Sequence, residues 1–236
     1  MTGSHIVGSD TDEGVLNGKS IFIAAGFPRN GAGYSVKPFE ITNATVSASR
    51  ATLRHGGDLI VSYHPTLTPL IMSVGDDFLP GRPENRRPFV HVYQSELYRR
   101  DPTEEERHYI EKGVGEMHWI PAADANGETG QLNRFKVKMA MLRNRPVAGI
   151  LIGGDEEVFK EGDDFCDATL FRSFCEGRPL YPLGATGGAT ETFLDRVLEG
   201  SEELGWSYKT LETADLRRPN YPVLMHRIIR DIVTVF

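Results

Sequence analysis

Three short glycine-bearing runs each follow a stretch of apolar residues. They are Ala25-Gly26-Phe27-Pro28-Arg29, Ile152-Gly153-Gly154-Asp155-Glu156-Glu157 and Gly184-Ala185-Thr186-Gly187-Gly188-Ala189-Thr190. Glycine lets a backbone come close to a ligand and adopt positive φ. A helix starting behind it presents unpaired N–H groups to an anion. The chemistry this predicts is the holding of a phosphate-bearing molecule. One such loop alone is also what a plain strand-to-helix turn requires. Their combined weight comes from all three falling on the same edge of one sheet.

The other side chains able to act on such a ligand are scattered along the chain. Arg29 and, on a helical stretch over residues 133–144, Lys138 and Arg143 are the cations expected to neutralise phosphate. His64 follows a second apolar run and is placed to hydrogen-bond a base or ribose. Asn43 and Thr45, near the start of the first helix, are placed to face the ligand. Each also has a plainer reading, as a satisfied histidine or as the polar face of a helix. The acidic residues Glu156, Glu157, Glu161, Asp163 and Asp164 read as a solvated helix face, with one carboxylate available for a ribose diol. No histidine pair or carboxylate group stands at metal-ligand spacing along the chain, so neither metal nor cofactor is expected, and no Ser-His-Asp set is present. Gly18-Lys19-Ser20 has the ending of a phosphate-binding P-loop. Glu13, however, stands where its first glycine belongs, and the tripeptide precedes a strand instead of following one.

The elements that must position these residues alternate between strand and helix patterns. Apolar runs at residues 21–25, 59–62, 89–93, 116–120, 147–152 and 180–183 predict strands. Between them, helical spacing covers 39–55, 66–74, 103–112, 133–144, a long segment running to 174, and 191–198; a last helix begins near Pro222. Strands that are apolar on both faces and separated by helices predict a Rossmann-like, doubly wound α/β fold with a mainly parallel sheet and helices on both faces. In such sheets a ligand lies beyond the carboxyl ends of the strands, at the point where strand order reverses. The polar residues 1–19 read as a flexible leader or linker and residues 20–236 as a single domain. Residues 80–88 (PGRPENRRP) read as an exposed loop, or as a cationic flap over the site.

Composition narrows the function classes. The chain has 236 residues, 39% hydrophobic and 25% charged, with a net charge of −7. That balance excludes a basic nucleic-acid or membrane surface but not a small anion held by helix N-termini and local cations. Cys166 and Cys175 lie nine residues apart in a helical stretch, about 13.5 Å along the axis, too far for a disulfide. Reduced thiols, with no signal-like or membrane-length apolar run, predict a cytoplasmic protein.

The run Lys136-Val137-Lys138-Met139-Ala140-Met141, followed by Val147-Ala148-Gly149-Ile150-Leu151-Ile152-Gly153-Gly154 and Tyr181-Pro182-Leu183-Gly184-Ala185-Thr186-Gly187-Gly188, resembles the SLOG superfamily. That superfamily includes the cytokinin-activating LOG phosphoribohydrolases and ligand-sensing domains of antiphage systems such as Thoeris. The resemblance covers about residues 20–199 and implies a ligand of the nucleotide or ADP-ribose kind. It also shows departures. The hydrolases carry Pro-Gly-Gly-x-Gly-Thr-x-x-Glu after this strand. Here the proline is missing, Glu156 and Glu157 replace the glycine and threonine, and Lys160 replaces the glutamate. Glu161 comes one residue late, about 100° around a helix. Val137 replaces the hydrolases' arginine, leaving Arg134, Lys136, Lys138 or Arg143 as cation donors.

A phosphoribohydrolase needs a carboxylate at the anomeric carbon and a cation on the 5′-phosphate, and both are displaced here. The resemblance therefore implies a nucleotide sensor, of an ADP-ribose-type or cyclic nucleotide, in antiphage defence. Its expected partners are the ligand, and a second copy or an effector protein, with no nucleic acid or membrane. The backbone N–H groups of Gly153, Gly154, Gly187 and Gly188 are expected to meet the ligand, with Gly26, Phe27, Pro28, Gly184 and Thr186 around them. The alternative is a LOG-like N-glycosidic hydrolase whose carboxylate is Glu157 or Glu161. A scaffold with a degenerate pocket is the third reading.

Overall fold

The computed structural model describes residues 14–28, 37–122, 129–154, 167–200 and 207–236. Six strands form one parallel sheet: β1 (Ser20–Gly26), β2 (Asp58–Ser62), β3 (Val90–Ser95), β4 (Gly115–Ile120), β5 (Ala148–Gly153) and β6 (Leu180–Leu183). Their spatial order is β4-β3-β2-β1-β5-β6, and every pairing is parallel. The helices are α1 (Pro38–Arg54), α2 (Leu67–Phe78), α3 (Glu104–Glu111), α4 (Thr129–Leu142), α5 (Asp167–Phe174), α6 (Gly188–Leu198) and α7 (Tyr221–Val235). This is a doubly wound, Rossmann-like α/β fold. The chain walks outward from β1 to β4, then crosses back to β5, so strand order reverses between β1 and β5.

Alternation along the strands builds two cores. Ile21 and Ile23 of β1 point to the layer that α1, α2 and α7 cover, while Phe22 and Ala24 point to the layer of α4 and α5. Each fully buried Ile or Phe side chain contributes about 1.5–3 kcal/mol. Local signals set the helix ends. Proline stands at the start of α1 with Glu40 in its first turn. α3 opens on a capping box in which Thr103 and Glu106 satisfy each other's backbone N–H, with three glutamates in the first turn. Its stop is Gly113, at φ +77°.

Three expectations need correction or completion. Gly14–Lys19, expected to belong to the leader, form a turn whose Leu16 is fully buried and donates its N–H to the carbonyl of His55 at 2.9 Å. Residues 80–88 are mostly exposed, as expected of a loop, but Arg82 is anchored and the segment is not a flap over the ligand edge. Arg82 is only 7% exposed and donates to the carbonyls of Gly56, at 2.8 Å, and Gly57. It also faces Asp58 at 3.4 Å and stacks on Phe89. These partners lie at the entries to β2 and β3, so the segment seals the amino-terminal edge of the sheet. The third concerns α7. It packs against α1 and buries Tyr221, Leu224, Met225, Ile228, Ile229 and Ile232. Its Asp231, also buried, accepts from the Tyr181 hydroxyl at 2.9 Å and from the Lys209 N–H at 2.6 Å. Cys175 is buried, and that burial raises its thiol pKa, as expected of an inert reduced cysteine. Cys166 lies outside the described residues, as does the expected helix before residue 167. Among the described residues no helix is long and apolar enough to cross a membrane.

Candidate functional site

The reversal point brings two of the glycine runs together. Gly26 at the end of β1 and Gly153 at the end of β5 are partners in the sheet register. From there the main chain is stitched across three strands. The Gly154 N–H donates to the Gly26 carbonyl at 2.8 Å, and the Ala189 N–H to the Gly154 carbonyl at 3.2 Å. Thr186 and Thr190 complete the seam. The Thr186 hydroxyl accepts from the Gly153 N–H at 2.8 Å and donates to the Leu183 carbonyl at 2.6 Å. The Thr190 hydroxyl donates to the Gly153 carbonyl at 2.7 Å.

Only glycine fits two of these positions. Gly153 has φ +63°, and a Cβ there would lie 2.5 Å from the Gly26 carbonyl oxygen. Gly188 has φ +65°, and its Cβ would lie 2.4 Å from the Gly154 carbonyl oxygen. The glycines therefore serve first to let three loops pack on one another.

That finding redirects the expected roles. The N–H groups of Gly153, Gly154 and Gly187 are engaged by Thr186, Gly26 and Gly184 respectively, so they do not point unpaired at a ligand. Thr186 is a seam residue, and Gly184 is a packing glycine whose Cβ would strike Leu194 at 2.5 Å. What the seam presents at its rim is the first turn of α6, opening at Gly188, and the start of α1. Lys37, immediately before α1, lies 3.8 Å from Glu191 in the first turn of α6. Two helix N-termini and a lysine thus converge on the β1–β5 edge. Lys37 is a candidate cation at this edge missed by the reading of the sequence; its signal is a lysine one residue ahead of a helix that starts with proline.

Two of the cations expected to serve the site, Lys138 and Arg143, stand elsewhere. α4 runs antiparallel to the strands, so Arg143, beyond its last residue, lies near the entry to β5 at the opposite edge of the sheet. Lys138 is half-buried beside the middle of the sheet, pairing with Asp167 at 3.0 Å and sitting over the Phe22 ring. Asn43 is half-buried on α1, and Thr45 is fully buried with its hydroxyl bonded to the Ile41 carbonyl at 2.8 Å, within its own helix. Arg29, Glu157, Glu161 and the neighbouring acidic residues lie outside the described residues.

His64 does border the edge. Its Nδ1 accepts from the N–H groups of Thr66 and Leu67 at 3.2 and 3.3 Å, capping the start of α2, and its ring packs on Phe27 at 5.3 Å. Burial lowers its pKa, which matches an imidazole nitrogen used as an acceptor. Pro28 is half-buried beside Phe27.

Further along the same carboxyl edge, beyond β2, β3 and β4, a cavity of about 170 Å³ opens between the sheet and α3. Its walls include Tyr63, Gln94, Arg100, Glu106, Met117 and Trp119. Arg100 binds Glu106 at 2.7 Å and lies over the Tyr63 ring, while the Tyr63 hydroxyl donates to Glu106 at 3.0 Å. Burial opposes charge on Glu106, but the hydrogen bonds from Arg100, the Thr103 N–H and Tyr63 hold its pKa below the usual glutamate range. Arg99 covers Trp119. Cations over aromatic faces are the materials for an anionic aromatic ligand.

The absence of metal-ligand spacing along the sequence does not carry over to three dimensions. Among the described residues His91, Glu116 and His118 bring their ligand atoms within 4.8 Å of one another, on β3 and β4 and away from the glycine seam.

Residues 34–212 match the model of the SLOG cluster3 family. No curated protein matches the chain.

Proposed function

The chain belongs to the SLOG cluster3 family, and from that premise we propose that it is a cytoplasmic sensor of a nucleotide-derived ligand, of the ADP-ribose or cyclic nucleotide type, acting in antiphage defence. Family membership supports a nucleotide-ligand or LOG-related domain. The observation that carries the sensor reading is the convergence of the starts of α1 and α6, with Lys37, on a floor of mutually bonded main chain at the β1–β5 reversal. Such a floor is set before any ligand arrives. It offers the partial positive charge of two helix ends to a phosphate. Lys37 would exchange Glu191 for phosphate oxygen. The ligand's remaining part would extend past Phe27 and His64 toward the cavity lined by Tyr63 and Arg100. A signal read in this way passes to an effector protein or a second copy of the chain.

The test is a thermal-shift screen against ADP-ribose, its cyclic isomers, NAD, AMP and cyclic dinucleotides, with each mixture then resolved by chromatography. A ligand that binds only the folded state raises the midpoint by mass action. A rise with the ligand recovered intact, reduced in Lys37→Ala, supports the sensor. A rise accompanied by free base turns the reading to an N-glycosidic hydrolase, and Glu157→Gln and Glu161→Gln then locate its carboxylate. No rise with any of them leaves only a scaffold.

A further inference from the structure

We propose that His91, Glu116 and His118 form a three-ligand site for a divalent transition metal, Zn²⁺ first among them, on the outer strand pair β3–β4. The register pairs His91 with Glu116 and Tyr93 with His118. Residues two apart on a strand share a face, so Glu116 and His118 of β4 stand on the same side as His91 and Tyr93 of β3. His91 is the second residue of its strand, which puts the group toward the opposite end of the strands from the glycine seam.

The separations match what a metal requires. His91 Nδ1 lies 3.2 Å from His118 Nε2 and 3.9 Å from Glu116 Oε2, and His118 Nε2 lies 3.5 Å from Glu116 Oε2. Tetrahedral zinc with bonds of about 2.0–2.1 Å places its ligand atoms about 3.3–3.4 Å apart. One ion at the centre of this triangle therefore reaches all three atoms with shifts of a few tenths of an ångström.

The supporting residues hold the ligands in place. His118 stacks on Tyr93 with ring centroids 4.4 Å apart, and the Tyr93 hydroxyl receives a hydrogen bond from Asn144 Nδ2 at 2.7 Å. This fixes the imidazole plane from behind, as an outer ring of contacts does in metal sites. Burial, then the neighbouring His118, lowers the pKa of His91, which keeps it in the neutral form a metal binds. Two imidazole nitrogens and one carboxylate select Zn²⁺, Co²⁺, Ni²⁺ or Cu²⁺ over Mg²⁺ and Ca²⁺, which take oxygen ligands. The side chains of His91, Glu116 and His118 are 25%, 52% and 29% exposed, so the fourth position opens to water. β4 is the edge strand of the sheet. An ion held by one residue of β3 and two of β4 clamps that edge strand to its neighbour.

The experiment uses the full chain, stripped of metal by a chelator and titrated with ZnCl₂ by calorimetry. Binding at one ion per chain is expected, with a thermal midpoint that rises with Zn²⁺ and not with Mg²⁺. Co²⁺ should give the intense visible bands of a four-coordinate, nitrogen-ligated ion. His118→Phe keeps the stacking on Tyr93 but removes the donor nitrogen, and should weaken Zn²⁺ by at least about 100-fold. Glu116→Gln, at the most exposed of the three positions, should weaken it by a smaller factor and carries the test if His118→Phe does not fold. Absence of one-to-one binding to the unsubstituted chain overturns the proposal, leaving a hydrogen-bonded histidine pair. So does an affinity unchanged in both variants, which would assign the ion to other histidines.

Discussion

The two sides of the sheet reversal build their carboxyl edges from different materials. At β1, β5 and β6 the contacts are mostly main chain to main chain, locked by the hydroxyls of Thr186 and Thr190 and admitting no side chain at Gly153 or Gly188. At β2, β3 and β4 the same edge is made of side chains, Tyr63, Arg100 and Glu106, while His91, Glu116 and His118 lie lower on the β3–β4 pair. The first region has a shape with little titratable chemistry. The second has ionic and aromatic chemistry. A backbone seam of this kind can be shared by many proteins that bind related ligands, whereas selectivity resides more readily in side chains, which can change without altering the fold.

Substitution tests that contrast most severely at the seam. Gly188→Ala forces a Cβ to within 2.4 Å of the Gly154 carbonyl oxygen at φ +65°. The strained backbone and the collision together should cost about 3 kcal/mol or more in urea unfolding. Gly81→Ala, where a Cβ meets nothing within 4 Å, should leave stability within about 0.5 kcal/mol. Equal losses at the two positions would remove the claim that the seam is close-packed main chain.

A smaller effect is expected on the side-chain half. Glu106→Gln removes the charge that Arg100, Tyr63 and the Thr103 N–H share, and should cost about 1–2 kcal/mol. The loss stays below that of a fully buried pair because Arg100 is 42% exposed and water takes up its charge. The pKa of Glu106 is lowered in the folded state, so its contribution is complete above the unfolded value of about 4.3. It is lost as pH falls through the lower folded value. Unfolding measured from pH 7 down to pH 3 should show that acid-side loss in the natural protein and a shallower one in Glu106→Gln. Identical profiles would mean that solvent screens the pair entirely.

The difference in materials also explains what could be read from the chain. The strand of residues 180–183 and the turn after it were legible because a short apolar run bounded by glycine has few alternatives. The helix over 104–111 was legible because three glutamates and a terminal glycine mark its ends. The reversal point follows from strand order, so the edge where the glycine runs meet was legible too. Its contacts were not. That Gly188 abuts Gly154, or that Lys37 meets Glu191, depends on how loops more than thirty residues apart close on each other. Arg143 shows the converse error. Its helix was identified, but the direction of that helix puts its last turn at the wrong edge. The Glu116-x-His118 spacing does place two ligands on one face of a strand. Its third ligand, His91, comes only from the register with β3.

The smallest of the expected effects probes the residue that joins the two regions. His64 closes the start of α2 with Nδ1 and touches Phe27 across the gap to β1. Burial lowers its pKa, so the unfolded chain takes up the proton first as pH falls. Stability therefore declines below the unfolded value of about 6.5, and the decline continues until the folded imidazole is also protonated. His91, lowered by burial and by His118, adds a second decline of the same sign. His64→Asn offers a side-chain oxygen to the same two N–H groups and cannot titrate. It should cost less than about 1 kcal/mol at pH 7.5 while flattening part of the slope between pH 7 and pH 5.5. His91→Gln should remove the remaining part. If His64→Asn leaves the slope unchanged, the pH response belongs to the β3–β4 side alone. The ring of His64 would then act only as packing between the backbone seam and the side-chain cavity.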